Sequence, residues 1–185
     1  MHLNPYGHDA VNLAADLANH PPQTPAELAA RCGDAGLAIE SPVTEDDVAR
    51  ARAVLAQWET IVDASDERER AELVNRMLAE SAAYPRLTDH TGVWHLHYRD
   101  DGQPLGSVLF ALIAVGTALH LVGRGMHRLR RCAVPECDTI FADTSRTGRQ
   151  RYCSQVCANR DAVRRHRARP GHRGQSLAKQ GPSIV

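Results

Sequence analysis

Aromatic residues are scarce in this chain: two Trp, four Tyr and two Phe among 185 residues. A groove for single-stranded nucleic acid stacks bases on aromatics interleaved with positive charge, and only Tyr152 lies among arginines here. Equally missing are a Gly-rich phosphate loop, a nucleophile elbow and a spaced carboxylate pair, so nothing calls for an enzyme. The opening stretch MHLNPYGHDAVNLAADLANH has no basic region followed by an uninterrupted apolar run, which gives a cytoplasmic, reducing location as the expectation. In such a compartment, clustered cysteines are metal ligands more often than disulfides.

Net charge is also missing, but only as a sum of opposites. Residues 1–123 hold 8 Arg against 18 Asp and Glu, a net of −10, whereas residues 124–185 hold 14 Lys and Arg against 4 acidic residues, a net of +10. The positive half is almost wholly arginine. This partition fits a basic arm that meets a polyanion and an acidic body that repels one.

One long apolar run is present, LGSVLFALIAVGTALHLVG from Leu105 to Gly123, followed by RGMHRLRR. Its length approaches a membrane span with cytosolic flanking arginines. Gly106, Ser107, Gly116, Thr117 and His120 dilute it, however, and favour a buried helix at the core of a small α-rich domain.

The remaining body reads as four amphipathic helices and a strand pair. Ala10, Leu13, Ala14, Leu17 and Ala18 form a helical stripe within 9–19. TPAELAARCG opens a second helix, with Thr24 as cap, Pro25 in the first turn, Glu27 completing a capping box and Gly33 as stop. Thr44 opens a third, with Asp46 and Asp47 in its first turn and Val48, Ala51, Leu55, Trp58 and Val62 on one face. The fourth, DERERAELVNRMLAESA, turns Leu73, Val74, Met77 and Leu78 inward. Trp94, Leu96 and Tyr98 then alternate with His95, His97 and Arg99 as in a half-buried strand, ended by an Asp101-Gly102 turn and paired with residues 86–88. His95 and His97 share a strand face near His90, a conceivable second metal site, but without a Cys or carboxylate fixed by local spacing they read as a solvated face. Cys32 stands alone and reads as a small buried helix residue.

The other four cysteines are arranged as Cys132-x4-Cys137 and Cys153-x3-Cys157, with fifteen residues between the pairs. Tetrahedral zinc takes four thiolates, two from each pair, so one structural Zn²⁺ closed by four cysteines is expected. Four protein ligands leave no open coordination position, which argues against a metalloenzyme; oxidation that ejects the metal is open to any such site. Pro135 and Glu136 bend the first pair into a knuckle, and Ser154 caps a helix that carries the second. Ile140 and Phe141 read as a strand, Thr147-Gly148 as a turn and Tyr152 as a return strand. Knuckle, hairpin and helix make a treble-clef-like finger whose apolar content is too small to fold without metal.

A helix from Ser154 to about Arg169 turns Val156 and Val163 toward the finger's core and repeats Arg160, Arg164 and Arg167 on another face. Zinc fixes the start of this helix and so aims its arginines. Arg165, Arg169, Arg130, Arg131, Arg149 and Arg151 are then available to nucleic-acid backbone.

The stretch RRCAVPECDTIFADTSRTGRQRYCSQVCANRDAVRRHRAR resembles the C-terminal zinc finger of the CGNR family, whose Cys-Gly-Asn-Arg motif corresponds to Cys157-Ala158-Asn159-Arg160. The preceding body is similar to the N-terminal ABATE-type domain of the same proteins, with DAVNLAADL as its opening helix. Two features depart from the pattern: Ala158 stands where the motif has glycine, and three residues separate the second pair where many members have four. Neither removes a ligand. The resemblance implies a stress-induced transcription regulator that binds duplex DNA.

The expected fold is therefore α+β: a mostly helical N-terminal sensor or dimerisation domain with a small β-hairpin (1–128), a treble-clef-like four-cysteine zinc finger (129–170), and a disordered tail (171–185). The expected function is DNA-binding transcription regulation, with a second copy of the chain and a small-molecule effector as further partners and no membrane. A protein-interaction or RNA-binding finger is the alternative, since the fold alone does not choose between them.

Overall fold

A computed structural model describes residues 7–168 apart from 82, 90, 91 and 93. His90, Arg169 and the tail 171–185 lie outside the described residues. Helices α1 (His8–Asn19), α2 (Pro25–Asp34), α3 (Glu45–Val62) and α4 (Glu67–Ser81) are followed by a hairpin of β1 (Arg86–Thr88) and β2 (His95–His97), then by helix α5 (Leu105–Arg124). A 3₁₀ turn (Met126–Arg128), strands β3 (Leu129–Arg131) and β4 (Ile140–Ala142) and helix α6 (Gln155–Ala168) complete the chain.

Helix α5 is the apolar run, and it is the centre of the body. It packs against α1, α3 and α4, which bury Leu109, Phe110, Ile113, Ala114 and Leu121. A helix apolar on most sides must be covered on most sides, and three amphipathic helices do so here. The stripes read from the sequence are the faces that cover it: Leu13, Ala14 and Leu17 from α1, Val48, Ala51, Leu55, Trp58 and Val62 from α3, Val74 and Met77 from α4. Leu73 and Leu78 are partly buried beside them, and Cys32 is fully buried. The Trp58 indole donates to the Thr117 hydroxyl at 2.9 Å, which satisfies two polar groups at the centre of the core.

The approach of α1 to α5 depends on glycine. Gly7 has φ +61°, and a Cβ there would lie 2.0 Å from the carbonyl oxygen of Gly116.

The caps expected at α2 and α3 are present. Thr24 accepts from the amide of Glu27, although the Glu27 carboxylate reaches back to the amide of Gln23 instead of that of Thr24. At α3 the capping box between Thr44 and Asp47 is complete. Asp47 is buried, and its second oxygen accepts from the Gly106 amide at 2.8 Å, tying the start of α5 to the start of α3. Burial pushes the Asp47 carboxyl up, but these amide and hydroxyl donors prevail and hold it below its ordinary value.

The hairpin corrects one expectation. β1 and β2 pair antiparallel as anticipated, with Leu87 opposite Leu96, but the apolar alternation faces outward. Trp94 is 69% exposed and Leu87 and Leu96 are exposed, while His97 is buried. The polar face can turn inward because it brings its own partners. The two imidazole Nε2 atoms lie 3.0 Å apart, and Asp101 pairs with Arg86 at 2.8 Å and approaches His97 Nδ1 at 3.5 Å.

Candidate metal centre and nucleic-acid interface

The finger begins inside the body's core. Arg70 of α4 donates to the carbonyls of Ile61 (3.0 Å) and Val62 (2.9 Å) at the end of α3 and to that of Met126, so the chain leaves α5 along a fixed path. β3 and β4 then pair antiparallel, with Arg131 opposite Ile140 and Leu129 opposite Ala142. Leu129, Ile140 and Ala142 are buried in the same cluster as Trp58 and Leu109. On the free edge of β4, Asn19 of α1 binds both backbone groups of Ile140, each at 2.8 Å.

This pairing corrects the expected hairpin. The partner of β4 is β3, upstream of the first cysteine pair, and the segment at Tyr152 is not a strand. The reason is the apolar side of β4, which needs the body's core more than it needs a return strand in a polar loop. The Thr147-Gly148 turn is present: Gly148 has φ +66°, and a Cβ there would lie 2.5 Å from the Arg128 guanidinium carbon beneath it.

Two residues that sequence reading passed over organise the loop between the pairs. Asp143 is fully buried and accepts from the amides of Ser145 (2.9 Å) and Gln150 (3.0 Å) and from the Ser145 hydroxyl. Buried Arg128 donates to the carbonyls of Asp143 and Ser145. An Asp two residues before a Ser is a turn signal in itself, but the arginine fifteen positions upstream has no local signature.

The knuckle is held by the Cys137 amide on the Val134 carbonyl (2.9 Å) and the Cys132 amide on the Thr139 carbonyl (2.9 Å). The Ala133 amide donates to the Arg151 carbonyl at 2.9 Å, which brings the second pair alongside the first. Ser154 caps α6 as expected, its hydroxyl accepting from the Cys157 amide at 3.3 Å. Ala158 sits within the first turns of this helix, its amide bonded to the Ser154 carbonyl, so α6 starts just after Ser154 as expected with alanine in the motif's glycine position.

All four sulfurs, of Cys132, Cys137, Cys153 and Cys157, lie within 4.8 Å of one another. Three of the separations are 3.7, 3.7 and 3.8 Å. A zinc–sulfur bond of about 2.3 Å places tetrahedral sulfurs about 3.8 Å apart, so the donor set fits Zn²⁺ in both chemistry and spacing. Proton affinities point the same way. Hydrogen bonding with Thr139 draws the Cys137 thiol down to about 7, while burial and the neighbouring sulfurs push Cys153 up to about 12. Four thiols this close cannot all ionise without a cation between them, and a dication removes that penalty. With four protein ligands the metal holds structure.

Comparison with known families agrees with the site. The sequence profile of the family described as "Putative stress-induced transcription regulator" (ABATE) matches residues 11–125. The chain belongs to the ABATE family. The CGNR zinc finger profile matches residues 128–170, which contain all four cysteines. A search of curated proteins finds no match. This ABATE chain thus has the arrangement that the resemblance implied, an ABATE domain followed by a CGNR zinc finger.

The arginines singled out from the sequence are placed very differently. Arg131 is committed to the body, bonding Asp63 (2.7 and 2.8 Å) and Glu59 (3.0 Å) of α3, which hold its own proton more tightly than usual. Arg130 donates to the His127 carbonyl at 2.9 Å. Arg164 and Arg165 both pair with Asp161, which is buried and also accepts from the Tyr152 hydroxyl. Arg149, Arg151, Arg160 and Arg167 are exposed, with Arg151 lying 5.8 Å over the Tyr152 ring.

The face of α6 also departs from expectation. Val156 is 67% and Val163 50% exposed, and the residues that meet the finger are Cys157 and Asp161. The cysteine cluster and a Tyr152–Asp161 hydrogen bond take the place that two valines were expected to occupy. The finger's own cluster is Cys132, Val134 and Cys157, with Cys137, Cys153 and Tyr152 against it.

Proposed function

We propose that this ABATE chain is a cytoplasmic transcription regulator that binds duplex DNA through the zinc-fixed helix α6, and that it is not an enzyme. The observation that carries this reading is the free positive charge around the metal site. Arg160 and Arg167 on α6 and Arg146, Arg149 and Arg151 on the preceding loop all face solvent on the half of the chain with net +10. The −10 body faces the other way in charge, which confines a polyanion to the finger.

In this reading Arg149, Arg151, Arg160 and Arg167 meet DNA, while Arg130, Arg131, Arg164 and Arg165 serve the finger's structure first. One finger buries little surface, so two copies on one operator would supply the selectivity. The groove of about 490 Å³ beside Asp9, Asn12, Asp16, Arg31 and Asp34 is where a small effector of the body would sit. An RNA or protein partner is the second reading, and Arg151 over Tyr152 is the one observation that favours RNA.

Fluorescence anisotropy of the zinc-loaded protein with random duplex DNA and matched single-stranded RNA, over a salt series, tests the proposal. The expected result is duplex preference with a log–log salt slope of about −0.9 per phosphate contacted, lost on chelation and weakened by Arg160→Ala. Affinity that ignores salt, or an RNA preference that persists across it, overturns the reading.

A further inference from the structure

Helix α6 carries more than charge on its outer side. Successive residues of an α-helix are turned by about 100°, so Val156, Asn159, Arg160, Val163 and Arg167 fall within one arc of about 100° running the length of the helix. Cys157 and Asp161 lie on the opposite side, toward the finger. Arg164 and Arg165 flank the buried side and are both held by Asp161. The outward stripe has no such restraint: Arg160 and Arg167 are exposed, and Gln155 Nε2 donates to Asn159 Oδ1 at 2.8 Å, which fixes the orientation of that amide.

Valine is a poor choice for an exposed helical position. Its β-branch lowers helix propensity, and its exposure in water earns nothing for the fold. The two valines do not form a continuous apolar patch either. At about 1.5 Å per residue they are separated by about 10 Å, with Arg160 between them. A protein interface wants a contiguous apolar centre depleted of charge, and this stripe is the reverse. Duplex DNA offers the complementary pattern: isolated thymine methyls in the major groove, flanked by guanine acceptors and phosphates that take arginine. A spacing of about 10 Å corresponds to about three base steps of about 3.4 Å.

We infer that the stripe Val156, Asn159, Arg160, Val163 and Arg167 is the base-reading surface of the finger, with the two valines against thymine methyls about three base pairs apart. Asn159, oriented by Gln155, faces the adenine edge nearby, and Arg160 and Arg167 take guanine or phosphate. Arg164 and Arg165 hold the helix onto the finger and do not read bases. This assignment rests on the duplex-DNA reading and specifies its contact face.

The test uses the full-length, zinc-loaded protein and a duplex selected by it from a random pool, compared with the same duplex carrying uracil at each thymine in turn. Uracil differs from thymine by one methyl. Burial of a group that size corresponds to about fourfold in affinity, so the wild type should lose about fourfold at each of two positions. The double variant Val156→Ala/Val163→Ala, which favours the helix and should retain its zinc, should bind thymine and uracil duplexes equally. Arg164→Lys/Arg165→Lys, which keeps cations beside Asp161, should keep the thymine preference. The assignment is overturned if the wild type binds the uracil duplexes as well as the thymine duplex, or if the preference survives in the valine variant and vanishes in the arginine one. Salt-dependent duplex binding without methyl sensitivity removes this assignment alone, whereas absence of duplex binding removes the DNA reading with it.

Discussion

The body and the finger of this chain solve the same problem with different means. The body buries Trp58, Leu17, Leu28, Ile61, Met77, Leu109 and Ile113 around one apolar helix. The finger's own cluster has Val134 and four cysteines at its centre, and two buried carboxylates support it, Asp143 in the loop and Asp161 on α6. Hydrophobic burial scales with the number of side chains that can be removed from water, and the finger is too small to collect enough of them. It substitutes a metal and a polar network. Yet the two regions are not separated by a linker, because Leu129, Ile140 and Ala142 of β3 and β4 belong to the body's core. One strand pair thus anchors the metal site to the helices, and disturbances of one region have a defined route to the other.

Metal removal should break the comparison most visibly. Structural zinc supplies on the order of 10 kcal/mol to modules of this size, more than the finger's few buried side chains can replace. Chelation should therefore unfold α6 and the 143–150 loop while α1, α3, α4 and α5 stay protected. Hydrogen exchange read by mass spectrometry would show this as fast exchange confined to residues beyond about 131. Loss of protection throughout α5 at the same chelator concentration would mean that the shared strands, not the body's own core, hold the molecule together.

The converse experiment attacks the body. Trp58→Ala removes the largest fully buried side chain and leaves Thr117 without the indole donor. Loss of a buried Trp costs about 3–5 kcal/mol, which urea denaturation would measure directly. Zinc stoichiometry, read with a colorimetric chelator, should stay at one per chain in the folded protein. Release of zinc at urea concentrations below the body's transition would separate the two regions; coincident release would show them to be one cooperative unit.

A smaller effect distinguishes the regions by pH. The Asp47 carboxylate accepts from Gly106 and Thr44, and its proton affinity is lowered in the folded protein. A carboxyl whose folded pKa lies below its unfolded value near 4 contributes stability above that pH, and this contribution is lost as pH falls further toward the folded value. Asp47→Asn should therefore cost about 2 kcal/mol at neutral pH. The gap between variant and wild type should narrow as the pH is lowered below about 4. Thermal melts of metal-free protein, in which the finger contributes equally to both samples, would isolate the effect. A gap independent of pH would contradict the carboxylate's role.

What the sequence made legible follows the same division. The body's helices were readable because burial on one face leaves a period of 3.6, and because Thr24 and Thr44 mark starts by a local chemistry. The zinc ligands were readable because coordination geometry imposes short spacings within each pair. Legibility failed where polar pairs took places that apolar side chains were expected to fill. The alternation Trp94, Leu96, Tyr98 suggested an inward apolar face, but Asp101 and the His95–His97 contact allow the histidine side to be buried instead. Val156 and Val163 suggested a core that Tyr152 and Asp161 fill. Ile140 found its strand partner upstream at Arg131 because Asn19, more than a hundred residues earlier, satisfies its other edge. Asn19 is marked by no spacing, and the His97–Asp101 and Tyr152–Asp161 pairs, though close in sequence, leave no apolar period to read.

The weakest expected effect concerns the seam's surface. Arg131 bonds Asp63 and Glu59 across from the finger to α3, and the Arg131 guanidinium holds the Asp63 carboxyl below its ordinary value. The pair is drawn in good geometry, but Asp63 is about half exposed, and solvent screens most of such an attraction. Arg131→Ala should therefore lower stability by less than about 1 kcal/mol, with the Asp63→Asn cycle giving a coupling of the same size that fades in high salt. The buried Leu129, Ile140 and Ala142 would then be what joins the regions. A coupling well above about 1 kcal/mol, undiminished by salt, would move the seam from the apolar strands to this ion pair.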